Sequence, residues 1–169
     1  MFLAILAAGA VLADTFTDHG KIVEVTIDPS GVISNCDVRD TESYVPDVEA
    51  DCKSLGDPGL LNLLLGGNSL APYKMVQTRI LFDTPAPGPA DVGKDKPGRV
   101  RRVVFSGELQ IAANGDVIRC EPTDMLQGFP EANLCEGATT DSEGAFKPQA
   151  ASLGIRKATL IMDVVAFQR

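Results

Sequence analysis

The chain has 169 residues, with 15 Lys and Arg against 23 Asp and Glu, a single His, no Trp and four Cys. Its 44% hydrophobic and 22% charged residues are the balance of a folded protein, long enough for one domain or two small ones. A formal charge of −8 with a pI near 4.6 excludes a nucleic-acid binder, which needs a basic footprint, and one histidine leaves no multi-histidine metal site.

Residues 2–13 read FLAILAAGAVLA, twelve positions without a charge, before the chain turns polar at Asp14. A membrane-spanning helix needs ~20 apolar residues, so the run fits the apolar region of a secretory signal better, with Val11 and Ala13 as the small residues before a cut. Residues 1–13 are therefore expected to direct export. The mature chain, after cleavage, is not an integral membrane protein.

The next segments occur twice. Glu24, Ile27, Gly31, Ile33 and Cys36 fall at an offset of 84 from Glu108, Ile111, Gly115, Val117 and Cys120, without a gap, and each copy has a second cysteine, Cys52 or Cys135. Stretches 22–28 (IVEVTID) and 103–111 (VVFSGELQI) alternate apolar and polar residues, the pattern of a half-buried strand. Pro29-Ser30-Gly31 and Ala113-Asn114-Gly115-Asp116 are turn signals, and each leads into a second strand that runs to the first cysteine. Residues 46–55 (PDVEADCKSL) then predict a short helix, with proline early and acids in its first turn. Residues 130–137 are its weaker counterpart. The LLNLLL run within 56–69 predicts a further short core helix. Strands at 75–82 (MVQTRILF) and 158–167 (ATLIMDVVAF) close the two copies.

The expected fold is thus α+β, with two tandem ββαβ units forming antiparallel sheet with short helices. They occupy residues 14–82 and 99–169, and are joined by a Pro/Gly-rich linker, 83–98 (DTPAPGPADVGKDKPG). Whether the units lie side by side or share one sheet is not decided by the sequence.

An even cysteine count, paired spacing and an export signal read as two disulfides formed in an oxidising compartment. Of three possible connectivities, the repeat selects Cys36–Cys52 and Cys120–Cys135, each inside its own copy. Zinc ligands usually come as C-x(2–4)-C pairs, which are absent, and no metal or other cofactor is expected. The G-x4-G-K spacing at 88–94 is followed by Asp95 rather than Ser or Thr, and reads as linker. Ser69 in Gly67-Asn68-Ser69 lacks the flanks of a nucleophile elbow. Asp37, Asp40, Glu42, Asp47, Glu49 and Asp51 read as a solvated face without EF-hand spacing. Arg99, Arg101 and Arg102 form the basic cluster, with Arg99 and Arg101 on one strand face as a charged guard of an edge.

A strand, a glycine turn, a strand ending in Cys, a second Cys on a helix, then Phe-x-Pro-x-Ala and a closing strand resembles the C-terminal domain of TonB-type energy transducers. The best stretch is Asn114-Gly115-Asp116-Val117-Ile118-Arg119-Cys120, with Cys135, Phe146-Lys147-Pro148-Gln149-Ala150 and Gly154. The first copy has Asp28 to Val38, Cys52 and a degraded Ala71-Pro72-Tyr73. The long membrane anchor and long Pro-rich spacer of a transducer have no counterpart, so energy transduction is not carried over.

The resemblance implies a periplasmic or secreted binding or scaffold module of the cell envelope. Its strand edge would receive a peptide from an envelope or outer-membrane protein by β-augmentation. The closing strands are the candidate edges, with Gln77, Arg79, Leu81, Ile161, Asp163 and Val165 as the peptide-binding residues. No catalysis is expected. The alternatives are a small secreted carboxylate-dependent hydrolase and a structural or inhibitory exported protein.

Overall fold

A computed structural model of the chain describes residues 20–40, 50–83, 97–129, 133–138, 154 and 156–169. The first thirteen residues, most of the linker, His19 and the Phe-x-Pro-x-Ala stretch lie outside them.

Two hairpins start the two halves. β1 (Gly20–Ile27) turns into β2 (Ile33–Asp40), and β4 (Arg99–Ile111) into β5 (Val117–Met125). In the first turn the Asp28 carboxylate accepts hydrogen bonds from the amides of Ser30 at 2.8 Å and Val32 at 3.0 Å and from the Ser30 hydroxyl at 2.6 Å. Gly31 sits at φ 89°, and a Cβ there would also stand 2.9 Å from the Ala71 amide nitrogen. Glycine is therefore required twice over, by dihedral and by space. The bonds from the Ser30 side chain and the Val32 amide hold the Asp28 carboxyl below its ordinary 3.8.

The sign of that shift makes a prediction. A carboxyl with a lowered folded value contributes stability that is complete above the unfolded value and lost as pH falls through the folded one. Amide exchange at Gly31 and Val32 is expected to be flat above about pH 4 and to rise below it, after correction for intrinsic rates. An Asp28→Asn variant lacking this pH dependence confirms the carboxyl as its source; an unchanged profile refutes it.

Between the hairpins and the closing strands lie short helices. α1 spans Cys52–Leu55, α2 spans Pro58–Leu65 and α3 spans Cys135–Ala138. Of the helix expected at 46–55, residues 46–49 lie outside the described residues; α1 begins at Cys52, where Asp51, extended at φ −139°, ψ 170°, accepts the Ser54 amide as an N-cap. Of the counterpart expected at 130–137, residues 130–132 lie outside the described residues; α3 begins at Cys135, whose amide donates to the Asn133 side chain at 3.2 Å. α2 is the core helix that the leucine run predicts. Asp57 caps it, Pro58 takes its first turn, and Leu61, Leu64 and Leu65 are buried.

β3 (Tyr73–Asp83) and β6 (Lys157–Gln168) complete one six-stranded sheet of order β2-β1-β3-β6-β4-β5, antiparallel at every neighbour. The two halves therefore share a single sheet, joined where β3 pairs with β6. One face of that seam, with Val76, Ile80, Phe82, Leu160, Met162, Val164 and Ala166, packs with the α2 leucines, Leu70 and Phe105 into one hydrophobic core. The Thr78 hydroxyl adds a bond to the Leu55 carbonyl of α1 at 3.3 Å.

This order corrects the expected binding edge. Gln77, Arg79 and Leu81 lie on β3, which is paired with β1 on one side and β6 on the other. Ile161, Asp163 and Val165 lie on β6, held between β3 and β4. Both strands have neighbours on each side, so neither offers a row of open amides and carbonyls to a guest. The outer strands of the sheet are β2 and β5.

Candidate binding surface

The six residues expected to bind a peptide do come together, but as a seam rather than an edge. Side chains alternate across a strand, so Gln77, Arg79 and Leu81 point away from the α2 core, and so do Val165, Asp163 and Ile161. The register sets them opposite one another as three successive pairs, Gln77 with Val165, Arg79 with Asp163 and Leu81 with Ile161. Leu81, Ile161 and Val165 are buried, so this face is not an open apolar surface.

Asp163 is the centre of the seam. Its side chain is fully buried, and it accepts Nε and Nη2 of Arg79 at 2.7 and 2.6 Å and Nε of Arg101 at 2.6 Å. Removal from water penalises a carboxylate heavily unless charge-assisted bonds replace the lost hydration. The planar guanidinium of Arg79 does so with two parallel bonds. A second polar chain runs beside it: Glu24 of β1 accepts Gln77 at 2.6 Å and Arg39 of β2 at 2.8 Å. Side chains from five of the six strands thus take part in two polar networks on this face.

Arg99 and Arg101 share the face, as alternation predicts, opposite Phe167 and Val165 respectively. Arg102 falls on the other face, where its guanidinium nitrogens lie 3.3 Å from the position a Cβ on Gly66 would take, at the end of α2. The guanidinium carbon of Arg99 lies 5.9 Å from the Phe167 ring centroid, a cation–π distance. Its Nε is buried and has no hydrogen-bond acceptor.

The outer strands carry the disulfides. Cys36 of β2 is bonded to Cys52 of α1 across a Cα–Cα distance of 6.0 Å, and Cys120 of β5 to Cys135 of α3 across 5.4 Å. This is the connectivity within each half. A strand paired on one side only frays more readily than a central one, and here each such strand is covalently tied to a helix. Val38 on β2 and Ile118 and Met125 on β5 are exposed apolar side chains.

The remaining sequence candidates fall elsewhere. Glu108 and Glu121 are cross-strand neighbours in a shallow depression with Arg119, Lys157 and Thr159, and Arg119 pairs with Glu121 on its exposed rim. Two acids meet there, in open and cation-rich surroundings. Asp51 is held below its ordinary 3.8 by the Ser54 hydroxyl and amide it caps, and Asp37 accepts the Asn35 amide. Glu42, Asp47 and Glu49 lie outside the described residues. Ser69 accepts the Ala71 amide at 3.1 Å, the bond of a loop turn. Among the described residues no group of three or more His, Cys, Asp and Glu could hold a metal, and no helix is long and apolar enough to cross a membrane.

Sequence reasoning named Arg79 and Asp163 for a different purpose and did not link them to Arg101. A signal existed. Asp163 interrupts the otherwise apolar run LIMDVVAF, and a carboxylate inside a buried strand must have cationic partners.

Compared with family models, curated proteins and solved structures, the chain matches none of them.

Proposed function

We propose that this is an exported, disulfide-stapled protein-binding module, made of two tandem ββαβ units of TonB C-terminal-like fold, that captures an extended peptide of an envelope protein on its outer strand β2. The observation that carries the reading is the strand order: β3 and β6 take each other as partners, so among the described strands β2 and β5 are the outer ones. Two features support the tandem units. Each half contributes a hairpin, a helix after it and a closing strand, and each has one disulfide, at sequence separations of 16 and 15. Glu24 opposite Asp37 in the first hairpin repeats as Glu108 opposite Glu121 in the second.

Of the two ends, β2 suits a guest strand better. β5 contains Pro122, which has no amide to donate and marks a blunted edge, whereas β2 (ISNCDVRD) has no proline. Its staple to α1 holds β2 in extended form, so less ordering entropy is lost when a second strand pairs with it. The two disulfides are consistent with an oxidising, extracytoplasmic environment.

The test is photocrosslinking in cells from two exposed positions, Val38 on β2 (43% exposed) and Leu63 on α2 (59% exposed). A photoreactive residue at 38 is expected to trap a discrete envelope protein that the same residue at 63 does not. Equal labelling from both positions, or self-contacts alone from 38, overturns capture by β2.

A further inference from the structure

The second hairpin turn carries a reactive pair of residues. Asn114 is the only asparagine of the chain followed by glycine. A side-chain amide there is open to attack by the next backbone nitrogen, and glycine has no Cβ to obstruct the approach. The first turn, alike in its backbone bonds, lacks this chemistry. Gly31 and Gly115 each donate to the carbonyl three residues earlier, that of Asp28 or Ala112, at 3.0 Å, but Ser30 stands where the second turn has Asn114. Asp28 is followed by Pro29, whose nitrogen carries no proton to lose.

The folded turn commits the atoms that the reaction needs. Asn114 is exposed, but Gly115 is buried, and its amide, the nucleophile, is held by the Ala112 carbonyl. The Asn114 side chain is turned towards Asp116: Oδ1 accepts the Asp116 amide at 3.2 Å, and Nδ2 donates to the Asp116 carboxylate at 2.6 Å. The Ala112 amide closes the turn by donating to the Asp116 carbonyl at 2.8 Å. Attack therefore requires the turn to open. What keeps it shut lies close by: β5 starts at Val117, and at Cys120 the bond to Cys135 ties it to α3. Outer strands open locally at less cost than the whole fold.

We propose that Asn114 is a site of spontaneous backbone modification, which the β4–β5 hairpin holds back and local opening of β5 releases. In the open turn the Gly115 nitrogen gives its proton to water and bonds to Asn114 Cγ. The Cγ–Nδ2 bond breaks, and Nδ2 leaves as ammonia with a proton from water. Water then opens the cyclic imide at one of its two carbonyls, and the Gly115 nitrogen regains a proton. The product at position 114 is an aspartyl or an isoaspartyl residue, and nothing is oxidised or reduced. Either product loses the donor to Asp116 and sets one carboxylate beside another, which is unfavourable. The isoaspartyl form also adds a main-chain carbon to the turn. Modification therefore loosens the start of β5. This site is separate from β2 and does not depend on peptide capture there.

The test incubates the full oxidised chain in neutral buffer and follows the tryptic peptide of residues 103–119 for conversion of the amide at position 114 to an acid. Four samples are compared: the native chain, the chain unfolded in guanidinium chloride, and the folded Cys120→Ala, Cys135→Ala and Cys36→Ala, Cys52→Ala variants. The native chain is expected to react at least about tenfold more slowly than the unfolded one, because reaction waits on local opening. Cys120→Ala, Cys135→Ala should raise the native rate several-fold, and Cys36→Ala, Cys52→Ala should leave it unchanged. If the former does not fold, the native chain in guanidinium chloride below its unfolding transition takes its place, and conversion should rise in step with amide exchange at Gly115. Equal rates in native and unfolded chains, equal acceleration by both cysteine variants, or no acceleration by Cys120→Ala, Cys135→Ala overturns the proposal. So does an unfolded chain that stays unmodified at position 114, or a modified chain whose β5 amides keep their full protection.

Discussion

Replacing Asp163 with alanine is expected to lower the unfolding free energy by about 3–5 kcal/mol, read from urea denaturation. The carboxylate is fully buried, and the side chains of Arg79 and Arg101 are only 11% and 16% exposed. Removing it takes away the acceptor of three short bonds from two guanidinium groups held in poorly hydrated surroundings. The neighbouring ion pair is far more exposed. Arg39 and Glu24 are 55% and 24% exposed, and solvent screens such a pair to at most about 1 kcal/mol. Arg39→Ala is therefore the control, expected to shift the urea midpoint far less than Asp163→Ala. Replacing all three members of the cluster by apolar residues of similar volume should recover much of the loss, because the cost lies in a buried charge rather than in a missing attraction. A change below about 1 kcal/mol for Asp163→Ala would mean that water reaches the seam.

Opening either disulfide has the second largest expected effect. Each closes a loop of about 15 residues, for which restriction of the unfolded chain contributes roughly 3 kcal/mol. The joint Cys36→Ala, Cys52→Ala variant should therefore lose about 3 kcal/mol, with increased amide exchange concentrated in β2 and α1. The Cys120→Ala, Cys135→Ala variant should lose a similar amount, with the change in β5 and α3. This locality is the informative part. Among the described residues β2 and β5 have one strand neighbour each, so their local opening depends on the staple, while β3 and β6 are held from both sides. An unchanged urea midpoint on full reduction would show that the cysteines stabilise neither edge. Loss of the β2 staple should also weaken any peptide captured there, by restoring the disorder that the bond removes.

Most local elements could be read directly from the residues. The period-two strands, the glycine turns at 31 and 115 and the leucine helix depend on neighbours a few positions apart, and the within-half cysteine pairs follow from the repeat. Their observed bounds differ mainly where a cap decides the start. Asp51, read as one acid of a solvated face, is the N-cap from which α1 starts at Cys52. The candidate site fared differently. Gln77, Arg79, Leu81, Ile161, Asp163 and Val165 do lie on one face, because alternation along a strand is a local property. That β3 and β6 take each other as partners, leaving these residues in a seam rather than at an edge, was not legible from periodicity. Composition held a partial clue: β6 is nearly continuously apolar, as strands buried on both faces are, and β2 is mostly polar.

Length, charge and spacing by themselves determined the class of molecule, an acidic α+β chain with paired cysteines and no histidine-based metal site. Only the tertiary structure decided that the two halves form one sheet and that their closing strands meet at Asp163. The reason is physical. Side-chain pattern specifies which face of a strand is buried, but backbone amides and carbonyls are chemically alike along the chain. Which strand they pair with is settled by long-range packing, and here the burial of one carboxylate between two arginines joins the seam.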